Sequence, residues 1–104
     1  EEGYIEATLA YKKLAQFFMA KLSMEVLQAA EAVGKILLLF QNGGSMKDVA
    51  AFLETLGKLD DEAAEEEMTK LVIALHATTR LWRLKGHTPD ELKENAREMA
   101  RKMH

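Results

Sequence analysis

The sequence predicts an all-α fold: a compact bundle of about five helices with a central hydrophobic helix. Three observations lead there. Apolar residues recur at steps of three and four along almost the whole chain, and no short window alternates apolar and polar residues between turn formers as a half-buried strand would. One proline and six glycines in 104 residues leave few helix breakers. Most of these fall where the periodicity is interrupted, at Gly43, Gly44, Gly57, Gly86 and Pro89. The length suits one domain over residues 1–104, with room for one modest core.

A first helix is expected over residues 4–20, with an inward stripe of Tyr4, Ala7, Tyr11, Leu14, Phe18 and Leu22 and with Glu6, Lys13 and Gln16 outward. Ser23 either caps a second helix or lies inside one long helix, since nothing from Phe17 to Val26 forbids helix. The second helix runs to about Gln41. Its last turn, "ILLLF", is apolar on all sides, which predicts a central helix contacted all round. Asn42, Gly43 and Gly44 stop it, because glycine takes a positive φ at no steric cost.

Ser45 and Asp48 in "SMKD" form a variant capping box for a third helix, whose inner stripe is Met46, Val49, Ala50, Leu53 and Leu56 and which Gly57 ends. Asp60 or Asp61 caps a fourth helix that runs to about Lys85, with Ala64, Met68, Leu71, Leu75 and Trp82 inward. Acidic residues at its start and Arg80, Arg83 and Lys85 at its end complement the helix dipole, each by about 0.3–1 kcal/mol. That explains the acidic cluster better than calcium does, because the loop lacks the alternating oxygen ligands of an EF-hand. "GHTPDE" is punctuation: Gly86 closes one helix, Thr88 caps the next, Pro89 opens it and Glu91 completes the box. The fifth helix then carries a narrow stripe of Leu92, Ala96, Met99 and Met103, which suits packing on a partner or on a second copy.

Several functions are disfavoured at this level. Without cysteine there are no disulfides, thiolate nucleophiles or zinc ribbons. A net charge of -3, and a fourth helix opening on "DDEAAEEE" where a recognition helix would stand, argue against DNA. The apolar runs, such as residues 36–40, fall far short of the roughly 20 residues of a membrane span, and no basic-flanked secretory signal is present. A soluble cytoplasmic protein is the expectation. The chain begins at Glu1 rather than at methionine, the pattern of a trimmed or partial sequence. No nucleotide-binding loop or nucleophile elbow occurs, so no catalytic residue is assigned.

His76 is the residue with most chemical promise. It is mid-helix at the border of the inward stripe, near Arg80 and Arg83, where an imidazole can ligate haem or a metal while the arginines meet propionates and Trp82 stacks on the guest. A boundary histidine bonded to a carbonyl or hydroxyl is the better reading, as no second ligand has suitable spacing on that helix and no metal ligand set is assigned. Aromatic residues and six methionines mostly fill the core, but Phe17 and Phe52 lie at the flanks of their stripes and with Met46 suit a groove or subunit interface.

The run "TTRLWRLKGHTPDEL", residues 78–92, resembles a segment of uncharacterised bacterial proteins in which a helical region precedes a short Cys-rich SEC-C zinc motif. The resemblance rests on Thr-Arg-x-Trp and Gly-His-Thr-Pro-x-Glu-Leu and implies a helical module beside another element. The zinc motif itself is absent here, and no metal ligand carries over. A designed or resurfaced sequence is a competing account: strong caps, dipole-matched charges and missing cysteine favour it, while the Met-rich core and the Gly-Gly loop oppose it. The functional expectation is a non-enzymatic interaction or scaffold module that meets a protein, or itself, through the fifth-helix stripe and the aromatic flank. The alternative is a bundle with an internal pocket for haem, a metal or another small molecule at His76.

Overall fold

In the computed structural model of this chain, residues 2–59 and 61–84 are described, with Glu94, Glu98, Arg101 and Lys102 beyond them. Four helices are traced among the described residues: α1 (Glu2–Lys21), α2 (Val26–Gln41), α3 (Met46–Leu56) and α4 (Glu62–Leu84), with no strand. The expected fifth helix lies outside this set, as do its stripe Leu92, Ala96, Met99 and Met103 and the "GHTPDE" joint. Its isolated described positions Glu94, Glu98, Arg101 and Lys102 are helical, and Arg101 pairs with Glu98 at 3.2 Å.

Of the first stripe, Tyr11, Leu14 and Phe18 are buried and Leu22 is half-buried; Tyr4 and Ala7 have side chains outside the described set. The junction after α1 is a break. Ser23 takes φ 54°, and the Met24 N–H reaches back to the Phe18 carbonyl at 3.5 Å. Left-handed backbone disfavours serine by about 1 kcal/mol. Burial of the Met24 side chain in the core offsets that strain. Glu25, in extended backbone, then opens α2 without a side-chain cap, so Ser23 is neither N-cap nor helical.

The other boundaries follow local chemistry. At the end of α2, the Gly44 N–H bonds the Leu39 carbonyl at 2.7 Å and the Gly43 N–H bonds the Phe40 carbonyl at 3.1 Å. With Gly43 at φ 84° this is a Schellman motif. A Cβ on Gly44 would stand 2.7 Å from the Leu39 carbonyl oxygen, so both glycines are required, for different reasons. The Ser45 and Asp48 box forms as expected: the Asp48 N–H donates to Ser45 Oγ at 3.3 Å and the Ser45 N–H to Asp48 Oδ2 at 2.9 Å. Asp61 caps α4 by accepting the Ala64 N–H at 2.6 Å.

The core lies among α1, α2 and α4, with α1 packed most extensively on α4. Leu14, Phe18, Val33, Ile36, Val72 and Leu75 are fully or almost fully buried there, each such large side chain contributing about 1.5–3 kcal/mol. Two buried hydroxyls, Thr78 and Thr79, both donate to the Leu75 carbonyl within α4 and so need no partner from another helix. The Tyr11 hydroxyl donates across the core to the Ala30 carbonyl.

α2 packs against α1, α4 and α3, but the expectation that it is contacted all round is not met. Leu27, Gln28, Glu31 and Lys35 form an exposed stripe along it, and Leu38 and Leu39 are only half-buried, so α2 is covered on one broad side rather than all round. The radius of gyration is 12.7 Å, near the roughly 13 Å of a compact chain this long.

Candidate functional site

The third helix departs from its expected packing, and the departure creates the site. Of its inner stripe only Val49 is buried; Leu53 and Leu56 are half-buried, while Met46 and Ala50 are exposed. α3 is held mainly against α2, where Lys35 Nζ lies 4.8 Å from the centre of the Phe52 ring. Toward α4 the two helices leave an open groove of about 860 Å³. Val49 and Val72 form its floor, Leu53 and Met68 its walls, and Leu59 lies in the connection between the helices.

Gly57 ends α3 with φ 138° and ψ 176°, a region that only glycine occupies readily, and a Cβ there would meet Leu22 Cδ2 at 3.4 Å. This residue ends α3 ahead of the Asp61 cap that restarts the chain as α4.

The polar residues that line the groove, Lys47, Glu54, Lys58, Glu65 and Thr69, are all exposed at its lips. None of the described residues that line it is a buried polar side chain. On the outer lip of α4, Glu62, Glu66, Thr69 and Ile73 follow at steps of four, three and four on one face. Ile73 is 53% exposed and Met46, in the α3 wall, 41%, so apolar surface is open on both sides of the groove and continues past it on α4. Leu9 and Leu27 are also exposed, but singly and on other helices, as is ordinary for a folded surface.

The residues singled out from sequence distribute unevenly. His76 is exposed on α4, with its ring edge-to-face against Phe40 at 4.6 Å between centroids. Arg80 is exposed one turn on, and the side chains of Trp82 and Arg83 lie outside the described residues. Phe17, expected at a flank, is 5% exposed and packs in the core with its edge toward Phe18, because the buried face of α1 spans both neighbours. Phe52 is half-buried under Lys35, and Met46 lines the groove.

Ala50, Leu53 and Met68 were legible as inward residues but not as groove residues, and Val72, buried at the floor, was not singled out as inward. Periodicity marks the apolar face of a helix, not whether anything covers it. Among the described residues, no group of three or more His, Asp or Glu side chains is placed to hold a metal ion, and no helix is long and apolar enough to cross a membrane. No family model, curated protein or solved structure significantly matches this chain.

Proposed function

We propose that this chain is a non-enzymatic helical interaction or scaffold module whose working surface is the groove between α3 and α4. The observation that carries this reading is the uncovered apolar face of α3: a helix with an inward stripe buries only Val49 and leaves Met46 and Ala50 open beside a groove of about 860 Å³. Contiguous exposed apolar surface with a polar rim is the usual mark of an interaction site. The fifth-helix stripe of Leu92, Ala96, Met99 and Met103 is a second proposed surface, for a protein partner or a second copy.

Site-specific photocrosslinking tests the reading. A benzophenone side chain at position 50, in the groove, or at position 99, in the fifth-helix stripe, gives a discrete protein adduct in native extract, while the same group at Lys12 on the exposed side of α1 does not. Failure of both positions to give an adduct above the Lys12 background overturns it. No observation favours the alternative of a haem or metal held through His76, since His76 and Arg80 are exposed. A stoichiometric haemin or zinc adduct in native mass spectrometry, lost in His76→Ala, would reverse that judgement.

A further inference from the structure

The groove has a length and a polarity that narrow its occupant. α3 has eleven residues, about 16 Å at 1.5 Å per residue, or three helical turns. A helix laid alongside it presents anchors at i, i+4 and i+7 to a floor of that length, the helix-in-groove mode of recognition. The two lips differ in charge. On the α4 side Glu65 lines the groove, with Glu62 and Glu66 exposed beside it on the same helix, while Lys47 and Lys58 flank Glu54 on the α3 side.

We infer that the groove between α3 and α4 docks an amphipathic helix of a partner protein that carries Lys or Arg along one edge of its apolar stripe, the edge facing the acidic lip of α4. The inference rests on the interaction-module reading and adds the chemistry of the partner. Met46, exposed in the α3 wall, and Ile73, exposed beyond the groove on α4, are then covered by the flanks of the docked helix. The acidic lip repels phosphate backbones and anionic headgroups. A small ligand finds no buried polar group in the groove to orient it. A basic-edged helix satisfies the floor and the lip at once, and its association weakens with salt as exposed charge pairs are screened.

The test pans the full chain against a phage-displayed helical peptide library in which the apolar stripe and both edges are randomised, then measures synthetic copies of the enriched peptides by fluorescence anisotropy. Enriched sequences are expected to share an apolar i, i+4, i+7 stripe with Lys or Arg along one edge. Ala50→Arg, at an exposed position suited to a strong helix former, weakens them by about tenfold or more. The double reversal Glu62→Lys with Glu65→Lys weakens lysine-edged peptides and strengthens glutamate-edged ones. Far-UV circular dichroism melts confirm that both variants fold.

Enriched peptides without a basic edge, or binding indifferent to Ala50→Arg, overturn the inference, and so does the enrichment of no helical sequence. Those failures leave the module reading to be judged separately by the adducts at positions 50 and 99.

Discussion

The two sides of α2 hold their neighbours by different means. Toward α1 and α4 it contributes Val33 and Ile36 to a core in which Leu14, Phe18 and Leu75 have no exposed surface, so burial does the stabilising. Toward α3 it meets a helix with one buried side chain, whose ends are specified by hydrogen bonds and backbone geometry: the glycine pair before it, the capping box at its start and Gly57 at its end. A short helix that buries little must rely on such local devices. The difference shows how a fold can keep one apolar face available without losing the element that carries it.

The contrast breaks most forcefully in the core. Phe18→Ala is expected to cost about 3–5 kcal/mol, read from the urea midpoint, whereas Leu53→Ala at the half-exposed groove wall costs distinctly less because solvent already reaches that side chain. Comparable losses at the two positions would mean that the groove is filled in the folded chain. Next in size is Gly44→Ala. The added carbon would stand 2.7 Å from the Leu39 carbonyl oxygen, so backbone must shift, for about 1–3 kcal/mol. A melting temperature unchanged by that substitution would remove the Schellman motif from the account of the turn.

Tyr11 sharpens the same contrast through pH. Burial, reinforced by the negative charge of Glu31 and opposed by a hydrogen bond from the Gly34 backbone, pushes its hydroxyl well above the ordinary tyrosine value. The unfolded chain therefore gives up this proton first. The contribution of Tyr11 is intact below pH about 10 and is lost as pH rises beyond it. Tyr11→Phe gives up the bond to the Ala30 carbonyl, about 1 kcal/mol at pH 7, and loses less stability than the wild type between pH 9 and pH 11, about a unit either side of that ordinary value. Equal slopes in urea titrations across that interval would contradict the burial argument. The smallest effect belongs to the exposed cap: Asp48→Ala costs about 0.5–1 kcal/mol, and amide exchange reports the loss in α3 while the protection of Leu14 and Leu75 stays unchanged.

How much of this was legible in the sequence follows the same division. Boundaries written in local chemistry could be read directly, at Asn42-Gly43-Gly44, Ser45 with Asp48 and Gly57, and to within one residue at the Asp60-Asp61 pair, because a cap or a positive φ needs particular residue types within a few positions. The break at Ser23 was not, since its cause is the burial of Met24 against distant residues and serine gives no local sign of φ 54°. The periodicity located the apolar faces of α1 and α4, yet it placed Met46 and Ala50 with Val49 although only the last is covered. His76 was read at the edge of the buried stripe. It is exposed beside Phe40, a contact between helices distant in sequence.

The pairing of α1 with α4 carries a consequence for synthesis. The first described helix has its principal partner in the last described one, with α2 and α3 translated between them. Closing so long an intervening chain delays the reward for forming α1, so the rate of folding is governed by the arrival of α4 rather than by the speed of helix formation. On the ribosome, Leu14 and Phe18 stay unshielded by α4 until residues near Val72 and Leu75 emerge. Moving the chain ends by circular permutation, so that α4 precedes α1 through a short linker, turns this late contact into an early one and speeds folding while leaving the groove unaltered.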